Sequence, residues 1–120
     1  KNNIKKFVEL NVSAAFHSKY MKIAQEELSY EIDKLKFYEN DIKIISNFDA
    51  NVYNDTTSIK KNLQNQMANK VNWTQSIKRL ENIGEKKIIE IGPNKVLSGL
   101  IRRISNNFDI TSINNISDIK

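Results

Sequence analysis

The stretch AAFHSKYM, residues 14–21, contains the only histidine of this 120-residue chain. An imidazole can take up and release a proton near neutral pH, so His17 is a candidate general base. It follows a segment in which Val8, Leu10 and Val12 alternate with polar residues, and it precedes a helical pattern. The junction of a strand and a helix is where α/β folds commonly present reactive side chains. A core role and a helix-capping role are equally compatible with His17, and the residue types alone do not choose among the three roles. The same position also suits a polar loop residue with no role.

A general base needs a nucleophile, and the residue patterns reveal none. No serine stands in the G-x-S-x-G pattern that exposes a nucleophilic serine on a strained turn. Ser98, in VLSGL, lies within a helical pattern and is expected to be an ordinary helix residue. One histidine and scattered carboxylates do not form a metal site, so we expect no metal and no other cofactor.

The stretch EIGPNKVL, residues 90–97, predicts a strand, a turn and a helix. The amides that open such a helix can hold an anion. A tight turn that packs a strand on a helix would use the same residues. The stretch matches neither a P-loop nor a dinucleotide-binding fingerprint, so the anion site and the packing turn both remain open.

Composition limits the class of protein. The formal charge is +5, but the lysines are spread along the chain and form no basic block with interleaved aromatic residues, so we expect no nucleic-acid partner. The absence of cysteine suits a reducing cytoplasm. No apolar run approaches the roughly 20 residues that span a bilayer, so we expect no membrane partner. The chain begins at Lys1 in mid-pattern, which is compatible with a piece of a longer polypeptide.

The apolar pattern predicts strands that alternate with helices. In chain order we predict a strand from Val8, a helix at 18–36, a buried strand at 42–46, helices at 56–68 and from 72, a strand at 87–91, a helix from 96 and a strand at 109–113. Ser18 is the expected cap of the first helix, and Gly84 suits the left-handed position that follows the third. The alternation indicates an α/β fold whose mostly parallel sheet is covered by helices.

The first predicted helix has the clearest amphipathic pattern. One apolar stripe recurs at steps of three and four residues over about four turns. Its members are Met21, Ala24, Leu28, Ile32 and Leu35.

Three segments together resemble one enzyme family. LNVSAAFHSKYM, QMANKVNWTQSI and IIEIGPNKVLSGLIRRI occur in the same order and with similar gaps in bacterial malonyl-CoA:acyl carrier protein transacylases. The acyltransferase domains of fatty-acid and polyketide synthases share them. The resemblance runs from about Val8 to Asn115. It implies the C-terminal part of an acyltransferase fold, with residues 1–15 ending a small ferredoxin-like subdomain and residues 16–120 belonging to a hydrolase-like subdomain with a parallel sheet and flanking helices.

The resemblance also implies an activity. The family moves a malonyl group from coenzyme A to acyl carrier protein through an acyl-serine intermediate, in cytoplasmic fatty-acid biosynthesis. Its nucleophilic serine lies in a G-H-S-x-G elbow, followed by an arginine that holds the malonyl carboxylate, and neither is in this chain. The expected partners are therefore malonyl-CoA as substrate, acyl carrier protein and the missing N-terminal part of the same enzyme.

Three site residues follow from the resemblance. The family's catalytic histidine falls on His17, and the main-chain carbonyl that orients the imidazole falls on Gln66. Phe16 resembles the phenylalanine of malonyl-selective members, whose ring leaves little room for an α-methyl branch; a ring at this position can also pack in the core, and both can hold. The chain departs from the family at Asn94, where glycine is usual, and at Lys70, where proline is usual.

Two further functions remain open from the sequence. One is an acyltransferase-like fragment with a binding or structural role and no activity of its own. The second is a small basic α/β module that binds RNA, which would require steeply salt-dependent RNA binding.

Overall fold

A computed structural model describes residues 12–119 of the chain. Short strands alternate with helices, and one turn of 3-10 helix at Lys19–Met21 leads directly into the first α-helix. The elements are α1 (Lys22–Lys34), β1 (Ile44–Ile45), β2 (Val52–Tyr53), α2 (Thr56–Asn65), α3 (Trp73–Asn82), β3 (Lys87–Ile91), α4 (Val96–Arg102) and β4 (Asp109–Ile113), followed by a 3-10 turn at Ile116–Asp118.

The strands form two small sheets. β3 and β4 pair in parallel over five residues, from Lys87 opposite Asp109 to Ile91 opposite Ile113, and α4 makes the connection between them. β1 and β2 pair antiparallel over two residues. A parallel pair needs a crossover connection, and a short helix between two β-branched strands provides it.

The predicted α/β class is confirmed, and the C-terminal half follows the sequence pattern closely. The strands predicted at 87–91 and 109–113 occupy those residues. Gly84 follows α3 with φ of +87°, the left-handed position expected for a glycine at a helix end. The strand predicted from Val8 and most of the predicted 1–15 subdomain segment lie outside the described residues, so that boundary stays a prediction.

The strand predicted at 42–46 differs most from the structure. Only Ile44 and Ile45 form β1, and Ile44 is 42% exposed, so the prediction of a buried strand was wrong. The loop expected after it contains β2. The connecting turn places Ala50 at φ of +59°, a conformation that alanine gives no reason to predict.

Details of the first two helices also differ from prediction. Ser18 does not cap the helix with its side chain, because its hydroxyl donates to the Ala15 carbonyl at 2.7 Å. α1 ends at Lys34, so Leu35 is extended and 59% exposed rather than part of the buried stripe. α2 ends at Asn65, three residues early, and the chain then turns through residues 66–69.

The core of the described residues is small. The buried apolar residues are Ile32, Ala50, Ile59, Ile77 and Ile101. Many large apolar side chains are exposed instead, including Ile89 and Ile91 on one face of the parallel pair, at 60% and 80%. Parallel sheets are normally covered on both faces, so this face is of the kind that a further layer covers. Among residues 12–119, no helix has the length and apolar character needed to cross a membrane.

Candidate active site

His17 stands in a turn just before the first helix, with a backbone conformation that few residues adopt. Its φ is +63°, in the left-handed region, which costs an L-residue about 1–2 kcal/mol. Its N–H donates to the carbonyl oxygen of Met67 at 2.8 Å. This long-range backbone bond offsets the strain and fixes the turn against the residues that follow α2.

The ring of His17 is oriented by a second carbonyl. Its Nδ1 lies 3.0 Å from the main-chain oxygen of Gln66. Because a carbonyl oxygen can only accept, Nδ1 carries the proton, and in the neutral ring the lone pair is then on Nε2. Gln66 is the C-cap of α2, so the ring also satisfies a carbonyl that a helix end leaves without a partner.

The geometry excludes two of the roles considered for His17. The side chain is exposed, so it is not a core residue of the described chain. It does not cap the helix that follows it, because its ring bonds to the end of α2, 49 residues away. Nε2 makes no hydrogen bond within residues 12–119, so its lone pair is open to a group outside the described residues.

The segment that holds His17 is fastened to α1. The Ala68 N–H donates to Oε1 of Gln25 at 2.8 Å. One turn back, Nε2 of Gln64 donates to the Ser29 carbonyl at 3.2 Å and to Oδ1 of Asp33 at 2.9 Å. These bonds hold the end of α2 against the helix that His17 precedes.

A salt bridge adds to the same helix pair. Nζ of Lys60 lies 3.1 Å from Oδ1 of Asp33. The hydrogen bond from Lys60 holds the pKa of Asp33 below the ordinary value for an aspartate. The hydrogen bond from Gln64 makes a smaller contribution in the same direction. Asp33 is exposed and Lys60 is only half-buried, so the pair contributes little to the free energy of unfolding.

Phe16 adjoins the base and is 54% exposed. Core packing within the described chain therefore does not account for this ring.

A partly enclosed cavity lies elsewhere in the described chain. Its volume is about 330 Å³, and it is lined by residues of β1, β2 and α2, among them Ile44, Tyr53 and Leu63. Gln66 reaches its edge, but neither Phe16 nor His17 lines it. Since a reactive group must reach its substrate, we locate the candidate site at His17 and not in this cavity.

The turn after β3 does not leave its helix amides free for an anion. The Glu90 carboxylate accepts from the N–H groups of Leu97 and Ser98, both at 2.9 Å, and from the Ser98 hydroxyl. Two of the amides that open α4 are thus bonded to the chain's own carboxylate. The turn therefore packs a strand on a helix, which is the second of the two roles that the sequence left open.

Ser98 is not the ordinary helix residue that its sequence context predicted. It is fully buried, and its hydroxyl also lies 3.0 Å from that of Ser112 on β4. The Ser98 hydroxyl, helped by the α4 amides, holds the pKa of Glu90 below its ordinary value against the opposing effect of burial. The only sequence feature that could have indicated this contact is a glutamate eight residues before a serine in a helix. Without the fold, the pattern did not reveal that the two meet.

Both departures from the family's pattern can be placed. Asn94 has φ of +74°, so it occupies the left-handed conformation that glycine usually supplies. Lys70 lies in the irregular segment between α2 and α3, where no helix has to be broken.

Within residues 12–119, no group of three or more acidic, histidine or cysteine side chains is placed to hold a metal ion.

Known proteins similar to this chain were found by sequence and by structure, although no family model matches it. The chain is 45% identical over 104 residues to the polyketide biosynthesis protein PksE of Bacillus subtilis, covering 87% of this chain and 13% of that protein. It is 35% identical over 116 residues to a malonyl CoA-acyl carrier protein transacylase of Staphylococcus aureus, covering 97% of this chain and 38% of that one.

The structural match agrees with the sequence match. The crystal structure of an acyl carrier protein S-malonyltransferase from Vibrio cholerae superimposes with a TM-score of 0.88 at 33% identity, over 96% of this chain and 38% of that one. The chain therefore spans less than two fifths of the length of the relatives it matches. By sequence and by fold, it corresponds to the C-terminal portion of the malonyl-CoA:acyl carrier protein transacylase family.

Proposed function

We propose that this chain supplies the general base of an enzyme that transfers malonyl groups from coenzyme A to acyl carrier protein. The observation that carries the proposal is the bond between His17 and Gln66, with Nδ1 3.0 Å from the main-chain oxygen. It directs the basic nitrogen of the ring away from the chain, toward the place where a nucleophile would stand. Gln66 is then a positioning residue that acts through its backbone alone.

In the proposed reaction, His17 acts on a serine that lies outside this chain. Nε2 takes the proton of the serine hydroxyl while the serine oxygen attacks the malonyl thioester carbonyl. The C–S bond breaks, and the coenzyme A thiolate leaves with the proton that the imidazolium returns. The pantetheine thiol of the carrier protein then gives its proton to Nε2 and attacks the serine ester. The imidazolium returns that proton to the serine oxygen as the malonyl group leaves.

The chain also needs a partner for its apolar surface. Ile89 and Ile91 are exposed on β3, and Val96, Leu97 and Leu100 are exposed on α4. A two-stranded sheet is marginally stable by itself, and a parallel one is normally covered on both faces. We propose that the rest of the transacylase fold packs on this surface and brings the nucleophilic serine to His17.

Phe16 is the proposed selectivity residue. Its exposed ring is next to the base in sequence, so in the assembled enzyme it would border the reacting acyl group. A ring there would exclude the extra methyl group of methylmalonyl-CoA.

The test is reconstitution from two chains. The 120-residue chain, of mass verified by spectrometry, is assayed alone and after co-expression with the N-terminal part of the Staphylococcus aureus relative. We expect no transfer of malonyl to carrier protein by the chain alone, because it supplies a base without a nucleophile, and we expect turnover by the complex. A complex carrying an Ala in place of the partner's elbow serine is the control.

Two results would contradict the proposal. Turnover by the chain alone would mean that the chain holds its own nucleophile. A stable complex that binds malonyl-CoA and never forms an acyl-enzyme would favour the alternative, an acyltransferase-like fragment with a binding or structural role.

A further inference from the structure

A single peptide group anchors His17, and it is bonded on both sides. The peptide between Met67 and Ala68 presents its C=O to the His17 N–H at 2.8 Å. Its own N–H donates to Oε1 of Gln25 at 2.8 Å. The two bonds set the plane of this peptide from opposite directions.

The orientation of that peptide matters because His17 depends on it. The left-handed backbone of His17, with φ of +63°, is kept by its bond to Met67. The ring bonds the preceding carbonyl, that of Gln66. Backbone and ring are thus held by two consecutive peptide groups. A rotation of the second would displace the Met67 oxygen, and with it the backbone of His17 relative to the Gln66 carbonyl that its ring bonds.

Gln25 is placed to resist that rotation. It lies on α1, half-buried, 43 residues from Ala68 in sequence. α1 continues from the 3-10 turn that follows His17. Through Gln25, the same helix is also bonded to Ala68, next to the two carbonyls that hold His17. Without its oxygen, the Ala68 N–H would lose its acceptor, and the peptide would be fixed from one side only.

We propose that Gln25 is a positioning residue for the base: it sets the Met67–Ala68 peptide and thereby the ring orientation and tautomer of His17. The catalytic consequence rests on the proposed function, whereas the structural consequence does not. The proposal assigns Gln25 no contact with substrate.

The experiment compares three variants of this chain in the two-chain complex. Gln25→Met keeps the length of the side chain and removes the acceptor. Gln25→Glu keeps an acceptor oxygen. Gln64→Met is the matched control, because Gln64 bonds the same helix through Ser29 and Asp33 but does not touch the peptide that holds His17.

The first readout is the tautomer of His17. When only this chain of the complex carries ¹⁵N-labelled histidine, the NMR signals come from one imidazole ring, because the chain has one histidine. On the neutral ring we expect the Nδ1-protonated form to dominate in the parent, in Gln25→Glu and in Gln64→Met. In Gln25→Met we expect a mixture of the two tautomers.

The second readout is the acylation rate. We expect kcat to fall about tenfold in Gln25→Met with KM unchanged, which is a fraction of the roughly 10²–10⁴ that a general base supplies. Gln25→Glu should restore most of that loss. Gln64→Met should lower the thermal midpoint without lowering kcat.

The two proposals fail in different ways. An unchanged tautomer in Gln25→Met, or the same loss of kcat in Gln64→Met, would overturn the role of Gln25. A tautomer shift in a complex that never transfers malonyl would uphold Gln25 as the residue that positions His17 and would overturn the proposed function.

Discussion

Two regions of this molecule use hydrogen bonds to helix ends for different purposes. Around Glu90, a buried carboxylate meets the N-terminus of α4, and its partners Leu97 and Ser98 lie within eight residues of it. Around His17, an exposed ring meets the C-terminus of α2, 49 residues away. In the first arrangement, both oxygens of the buried Glu90 carboxylate accept hydrogen bonds from the chain itself. The second leaves one nitrogen directed outward, which is what a reaction requires.

The proposed function therefore assigns stability and reactivity to different regions of this chain. Buried, fully bonded polar groups make a fold specific, and removing one partner is costly because the other stays desolvated. An exposed side chain on a strained backbone adds little stability and persists only because its surroundings hold it. We expect variants of the two regions to affect different measurements.

The largest effect should come from the base. His17→Ala in the two-chain complex is expected to slow acyl-enzyme formation by about 10²–10⁴-fold, the usual contribution of general-base help, with malonyl-CoA binding largely intact. Rapid-quench measurement of the acyl-enzyme and equilibrium binding of malonyl-CoA separate the two effects. His17→Asn is the control for the backbone, because asparagine tolerates positive φ; it should be as slow as the alanine variant. Near-normal acylation by either variant would remove His17 from the mechanism.

The next effect should appear in stability alone. Ser98→Ala removes a fully buried hydroxyl that donates to Glu90 and adjoins Ser112. We expect the apparent free energy of unfolding of the complex, at fixed protein concentration, to fall by about 1–3 kcal/mol. Urea unfolding measures it, and kcat of the folded complex should be unchanged. A loss of kcat without a loss of stability would erase the distinction between the two regions.

Phe16 tests the reactive region through selectivity rather than rate. Phe16→Ser is expected to raise the ratio of kcat/KM for methylmalonyl-CoA to that for malonyl-CoA about tenfold, and by no more than about 200-fold, the range for one methylene group. The ratio is the quantity to measure, because it cancels damage common to both substrates. If both rates fall together and the ratio stays constant, Phe16 is a packing residue in the assembled enzyme.

The smallest effect should be a change with pH. An unperturbed glutamate titrates near about 4.3, and Ser98 lowers the pKa of Glu90 in the folded chain. The stability that this shift contributes is present above the unfolded pKa and is lost as the pH falls through the lowered folded pKa. The difference in stability between the parent and Ser98→Ala should therefore narrow below about pH 4.3. A difference that stays constant down to about pH 3 would assign the effect to packing instead of to the charged carboxylate.

Much of the C-terminal half could be predicted without the fold. The β-branched runs of β3 and β4, the glycine after α3 and the helical spacing of α4 are local signals, and the partners they imply are near in sequence. The parallel pairing follows from the helix between the two strands. Ser98 was misjudged because its helical context accounted for its presence and gave no sign of its burial. The hairpin of β1 and β2 was missed because it depends on an alanine at positive φ.

The site divides differently. The residue types alone nominated His17 and left three roles open for it, and its pairing with Gln66 came from family resemblance. No residue pattern predicts that pairing, because the acceptor is a backbone carbonyl and every residue has one. Which carbonyl faces the ring depends on where α2 ends, how α1 packs against it and how the Met67–Ala68 peptide is turned.

The order of residues was thus sufficient for most of the elements and for one candidate base. Which of its two ring nitrogens carries the proton is decided by the folded chain instead. It depends on a backbone carbonyl 49 residues away, of a kind that every residue carries and that only the fold brings to the ring.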